Sequence, residues 1–181
     1  RLGCRIISLP ADPALPDSVF VEDVAVVLPE LAVITRPGAP SRRPETAAVA
    51  AALAPYRRLA ALHPPGTLDG GDVLRSERAI FAGMSGRSNA DGIAQLRALA
   101  GASGFEVRAV PVAGCLHLKS AVTAVGPEAL LINPEWVGVR SFSGFDLIPV
   151  DPDEPHAART RKTVPRAARP QAISASGGRH W

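Results

Sequence analysis

Between Cys4 and Pro149 the apolar residues change period twice in the same order, which constrains the fold more than any single motif. Short β-branched runs come first: "RIISL" (5–9), "VFVEDVAVVL" (19–28) and "LAVITR" (31–36), each ended by proline or an acidic turn. From Pro44 to Leu62, Ala, Leu and Val recur at three- and four-residue spacing. That predicts a helix opened by Pro44 and Glu45 and broken at Pro55. Gly66 marks a turn, and "VLRSERAIFAG" (73–83) predicts a hairpin with "SER" at its tip. Asn89 to Gly101 predicts a second helix, with Asn89 as its cap and Gly101 just past its end. "FEVRAVPV" (105–112), "HLKSAVTAV" (117–125), "ALLINP" (129–134) and "DLIPV" (146–150) predict further strands. Strand, strand, helix, strand therefore occurs twice, and the chain is α/β with an internal ββαβ repeat. One such unit is too small to close its own core, so the copies must pack around a shared centre.

The 181 residues suit one domain, placed at residues 1–155. Residues 156–181 hold six of the 20 basic residues and no Asp or Glu, which leaves residues 1–155 with 14 basic and 17 acidic groups, a net of −3. The overall charge of +3 thus comes from the tail, and a basic stripe for nucleic acid is not predicted on the body. Too poor in large apolar residues to offset its ordering entropy, the tail is expected to be disordered. No apolar run is long enough for a bilayer, and no signal peptide is predicted, so no membrane partner is expected. Starting at Arg1, the chain is expected to begin inside a longer protein. Two cysteines, Cys4 and Cys115, form no disulfide framework and suit a reducing, cytoplasmic setting.

Dinucleotide, P-loop, HExxH and CxxC motifs are absent, so neither a cofactor nor a metal is predicted. The candidates for chemistry lie at strand ends. Asp17, Glu22 and Asp23 read either as a solvated turn or as carboxylates held between buried runs, where they would need a cationic partner. Asp69 and Asp72 bracket Gly70 and Gly71, as a plain turn with local hydrogen bonds does, or as a close backbone approach to a ligand does. Arg42 and Arg87 precede the two helices at matching places and suit carboxylate recognition, although surface arginines are common. His117 is either a packed core residue or the best general acid/base available. Cys115, two residues earlier, would sit on the same strand face with Cβ atoms roughly 6.5–7 Å apart. That is a marginal reach for a thiolate–imidazole pair, and Cys115 reads as a structural residue.

"PDSVFVEDVAVV", "ITRPGAPSRRPE", "PGTLDGGDVL", "AGMSGRSNADG" and "PVAGCLHLKS", in this order, resemble the dimethylarginine dimethylaminohydrolase family of the amidinotransferase (pentein) superfamily over residues 10–155. The resemblance implies an α/β propeller of five ββαβ modules and hydrolysis of N-methylated arginine to citrulline and a methylamine, with a possible homodimer. It implies a cysteine nucleophile, His117 as acid/base, Asp23 and Asp69 on the guanidinium, and Asp69 orienting His117. Asp17 and Glu22 would line the pocket near the amino-acid end or entrance, and Arg42 and Arg87 would clamp the substrate's α-carboxylate. The family's nucleophile belongs to a C-terminal "GG-x-x-C" context, and nothing here corresponds to it. After Ala158 the family pattern gives way to the basic tail, as a frameshift or truncation would produce, and most of a first module is missing. The propeller is therefore expected to be incomplete and this chain inactive by itself. The alternatives are a non-catalytic binder of arginine-like ligands, a degenerate remnant, and an arginine deiminase or amidinotransferase.

Overall fold

A computed structural model describes residues 3–76, 79–151 and 153; the tip of the second hairpin and the basic tail lie outside them. Nine strands form three separate three-stranded sheets with one plan. In the first, β1 (Ala25–Val27) runs antiparallel to β2 (Leu31–Ile34), and β3 (Arg58–Ala61) returns parallel to β2 after helix α1 (Thr46–Leu53). The second repeats this with β4 (Val73–Arg75), β5 (Ile80–Met84), α2 (Ala90–Gly101) and β6 (Val107–Pro111). The third opens on a one-turn helix α3 (Leu118–Ala121), followed by β7 (Val122–Ala124), β8 (Ala129–Ile132) and β9 (Asp146–Pro149). Its crossover holds only a 3-10 turn, Val139–Phe142, which is why the sequence shows two helical repeats while the described residues form three modules.

The middle sheet is buried on both faces. Successive strand residues point to opposite sides. Ile80 and Ala82 of β5 and Val73 of β4 enter a core with Leu31, Val33 and Leu96. Phe81 and Leu74 enter a second core with Leu118, Leu130 and Phe142. Phe81 packs against Phe142 and Phe145, with ring centroids at 4.7 and 5.4 Å. The second module is thus clamped between the first and third, as one propeller blade lies between its neighbours.

Several local expectations give way to tertiary contacts. Residues 58–61, inside the expected first helix, form β3 because Leu31–Ile34 offers an open edge and Pro55 releases the chain from the helix. Residues 5–9 form no strand; their β-branched composition finds no pairing edge, and Ile6 stays exposed. The run 19–28 is a strand only from Ala25, since i→i+3 bonds from Phe20 N–H to Asp17 and from Asp23 N–H to Phe20 wind its start into 3-10 turns. Residues 118–121 are helical because the Leu118 N–H is taken by the Asp72 carboxylate, not by a strand neighbour. Gly101 is the last residue of α2, and Asn89 caps that helix as expected, accepting the Gly92 N–H at 2.9 Å.

The same asparagine accepts the Thr67 N–H at 2.9 Å, so α2 starts pressed against the strand-like segment before Asp69. A Cβ on Gly92 would lie 2.1 Å from the Thr67 carbonyl oxygen. Alanine is worth about 1 kcal/mol more than glycine in a helix, but overlap of this kind typically costs about 1–3 kcal/mol. Gly92→Ala is therefore expected to lower the melting temperature; a higher one would show that the contact gives way.

Candidate active site

The three modules present equivalent positions to one another. The segment just before the first strand of each is the Val21–Val24 turn, the Gly70–Asp72 turn and α3, and the second packs against both others. Asp23 lies in the first, Asp69 caps the second, and His117 caps the third. His117 Nε2 lies 3.1 Å from Asp69 Oδ2, while Asp69 Oδ1 accepts the Gly38 N–H at 2.9 Å. Asp23 Oδ1 accepts the Gly71 N–H at 3.0 Å. A Cβ on Gly71 would stand 2.7 Å from both Asp23 Oδ1 and His117 Nδ1, so only glycine lets these two side chains close on the turn. Phe20, Glu22, Asp23, Gly71, His117 and Lys119 line a cavity of about 390 Å³. Its outer lip is apolar, with Val19 and Phe20 exposed.

The remaining expected site residues fall into two groups. Glu22 is exposed at the cavity wall and pairs with Lys119 Nζ at 2.6 Å. Arg87 is half-buried in the loop before α2; its backbone lies against Gly38, and its guanidinium makes no hydrogen bond with the described residues. Asp17 is exposed, and what it contributes is its carbonyl oxygen, accepting Arg42 Nη2 at 3.1 Å. Arg42 departs most from expectation. Only 6% exposed, it donates from Nη1 to Asp23 at 2.6 Å and from Nη2 to Glu45 at 2.8 Å, with Nε also on Glu45. Its fork faces these two carboxylates and not the cavity. The cationic partner that buried Asp23 requires is therefore Arg42 itself. Cys115 donates its thiol to the His117 carbonyl oxygen at 3.3 Å and packs against the second core.

Electrostatics follow from this burial. Desolvation alone would lower the pKa of His117, but the Asp69 hydrogen bond and the charges of Asp23, Asp72 and Asp69 outweigh it and raise it above 6.5. Burial likewise opposes the charge on Arg42, and the hydrogen bonds to Glu45 and Asp23 overcome it and raise its pKa. Burial and the nearby Asp72 charge push the Cys115 thiol up, against the His117 hydrogen bond, which keeps this sulfur a poor nucleophile. Asp23, Asp69 and His117 offer ligand atoms within 4.8 Å of one another, a spacing a metal ion would tolerate. The carboxylates there already have cationic or donor partners in Arg42 and His117, and we assign no metal to them.

Sequence reasoning missed Glu45 and Lys119, and it named Asp72 without giving it a role. Glu45 stands three residues after Arg42 and Lys119 two after His117, spacings that turn them toward their partners only once the 3-10 turn and α3 are formed. Asp72 was visible beside Asp69, but nothing local distinguishes a fully buried carboxylate from a solvated one.

No protein-family profile matches the chain. Over 132 residues it is 53% identical to the N(G),N(G)-dimethylarginine dimethylaminohydrolase of Streptomyces coelicolor, covering 70% of this chain and 50% of that protein. The enzyme of that name from Pseudomonas aeruginosa is 34% identical over 155 residues, covering 84% of this chain and 61% of that protein. The chain thus spans 50% and 61% of the length of these curated relatives. A cysteine-to-serine variant of DDAH from Pseudomonas aeruginosa, complexed with citrulline, superposes with a TM-score of 0.72 at 32% identity, over 80% of this chain and 57% of the other. A dimethylarginine dimethylaminohydrolase adduct with S-methyl-L-thiocitrulline gives 0.76 at 33%, over 81% and 59%. The N-terminal domain of ArgZ, an arginine dihydrolase, shares the fold at 20% identity and a TM-score of 0.71, over 80% and 57%. Three three-stranded α/β sheets of one plan, with Asp23, Asp69 and His117 brought together between them, give this chain the fold of the pentein superfamily. Over the parts it spans, the chain is similar to proteins named dimethylarginine dimethylaminohydrolase.

Because the folded pKa of His117 is raised, its protonation stabilises the fold below about pH 6.5, and that increment fades as pH climbs through the raised value. NMR titration is expected to give a His117 midpoint above 6.5, and Asp69→Asn to bring it down. A midpoint indifferent to Asp69→Asn would mean that the 3.1 Å contact does not govern the imidazole.

Proposed function

We propose that this chain carries the guanidinium-binding and acid/base part of an enzyme that hydrolyses N-methylated arginine to citrulline and a methylamine. The observation that carries the reading is the meeting of Asp23, Asp69 and His117 from three modules, with Asp23 and His117 lining a cavity of about 390 Å³ and Asp69 buried behind the imidazole. Carboxylates at the closed end suit a delocalised cation. Arg87, whose guanidinium is uncommitted among the described residues, suits the ligand's carboxylate, and Asp17 and Glu22 suit its amino-acid end. Arg42, which the family resemblance pairs with Arg87, supports this arrangement from behind by holding Asp23 in place. The two cysteines form no disulfide, and we place the protein in a reducing, cytoplasmic compartment with a small-molecule substrate.

The chemistry assigned to His117 follows from its raised pKa. A thiolate adds to the guanidinium carbon, the bond to the methylated nitrogen breaks, and protonated His117 gives its proton to the departing amine. The resulting S-alkylthiouronium is attacked by water, which yields a proton to His117. The C–S bond then breaks, releasing citrulline and restoring the thiolate. Neither described thiol is suited to this attack: Cys4 is exposed and does not line the cavity, and the Cys115 pKa is raised and its hydrogen points at a carbonyl. We assign the nucleophile to a part of the enzyme outside the described residues, which favours a second reading of the chain alone as a binder of arginine-like ligands.

Calorimetry with citrulline tests the binding site, and citrulline release from dimethylarginine tests the chemistry. Binding by the parent chain is expected, weakened roughly ten- to hundredfold in Arg87→Ala, the worth of one charged hydrogen bond. A chain that is folded by circular dichroism yet binds neither citrulline nor arginine would overturn the reading. Turnover by the chain itself, lost in His117→Ala and in Cys115→Ser, would return the nucleophile to Cys115.

A further inference from the structure

Asp72 has no part in the reading above, yet it is the fully buried carboxylate about which the site is hung. Its Oδ2 accepts hydrogen bonds from the hydroxyls of both Ser85 and Ser88, each at 2.6 Å, and its Oδ1 accepts the Leu118 N–H at 2.9 Å. Each donor neighbours a residue assigned to the ligand. Leu118 directly follows His117. Ser85 and Ser88 flank Arg87, whose N–H donates to Ser85 Oγ at 3.0 Å. Ser88 Oγ also accepts the N–H of Asp69 at 3.0 Å. One side chain therefore ties together the Arg87 loop, the Asp69 turn and the His117 segment.

We propose that Asp72 is a positioning residue, fixing the His117 imidazole and the Arg87 loop in one relation so that both ends of an arginine-like ligand are read against a single anchor. The proposal rests on the ligand reading given above and extends it to a residue that need not touch the ligand. The chemistry of the anchor argues for more than filler. Donors meet both carboxyl oxygens, two hydroxyls on Oδ2 and an N–H on Oδ1, so both must accept, which an ionised carboxylate does and an amide, with one oxygen and one NH2 group, cannot. Burial raises the pKa of Asp72, and the Ser85, Ser88 and Leu118 hydrogen bonds oppose that rise by favouring the ionised form. Its field also falls on His117, together with those of Asp23 from the first module and Asp69 from the second. Lys119, on the helix that follows His117, and its partner Glu22 complete the charged surroundings of the imidazole.

The two carboxylate oxygens do different work, which makes the proposal separable in the full chain. Asp72→Asn and Ser85→Ala are compared with the parent by His117 NMR titration, citrulline calorimetry and thermal melting. Asp72→Asn removes the charge and leaves one acceptor where two are used, so either the serine hydroxyls or the Leu118 N–H loses its partner. It is expected to lower the His117 midpoint and weaken citrulline binding about tenfold or more. Ser85→Ala cuts only the Arg87 arm; it is expected to weaken citrulline binding several-fold while leaving the His117 midpoint and the melting temperature near those of the parent. A folded Asp72→Asn chain with the parental midpoint and affinity would overturn the proposal, as would parental citrulline affinity in Ser85→Ala. Should Asp72→Asn fail to fold, Ser85→Ala alone decides. A parent that binds no citrulline sinks the ligand reading, and the His117 midpoint of Asp72→Asn then still decides whether Asp72 governs the imidazole.

Discussion

Burying carboxylates at the junction of three small sheets is the constraint on which the remaining structure depends. Asp69 and Asp72 are fully buried and Asp23 nearly so, and none is satisfied within its own module alone. Asp23 draws on Arg42 of the first module and the Gly71 N–H of the second. Asp69 draws on the Gly38 N–H of the first and His117 of the third. Asp72 draws on Ser85 and Ser88 of the second and the Leu118 N–H of the third. Breaking a buried charge pair commonly costs about 3–5 kcal/mol, comparable to a small domain's whole stability. The apolar cores bring the modules together without direction, and the carboxylates fix their register. Among the described residues no buried side-chain nitrogen or oxygen lacks a partner.

The same network decides what the cavity attracts. Asp23, Asp69 and Asp72 bring three negative charges beside one imidazole, and Arg42, held between Asp23 and Glu45, offsets only part of that excess. A cation at this cavity would meet the field of carboxylates that the fold already holds in place. Lys119, paired with Glu22 at the wall, keeps the rim from adding to the acidity within.

The ββαβ repeat was readable because two of its copies carry a helix of clear period, and the Asn89 cap was readable because capping is local chemistry. The third module was present in the sequence as three strands but lacked the helix that would have marked it as a copy. Of the site, Asp69 and His117 were legible as a pair only through family resemblance, since residues 48 apart have no spacing rule to connect them. Arg42 was found by the right argument in the wrong place. The sequence placed an arginine before a helix and asked for a cation beside Asp23, and nothing in it linked the two.

What the sequence by itself determined is whatever short-range chemistry dictates: strand and helix periods, the capped start of α2, the acidic balance of residues 1–155 and the order of the motifs. Only the tertiary structure decided that residues 58–61 become a strand, that Arg42 faces Asp23 and Glu45, and that Asp72 anchors elements of two modules. Each of those outcomes turns on burial. A hydrogen bond or an ion pair gains its weight from the water it has lost, and that loss is a property of how the sheets meet, invisible in any one of them.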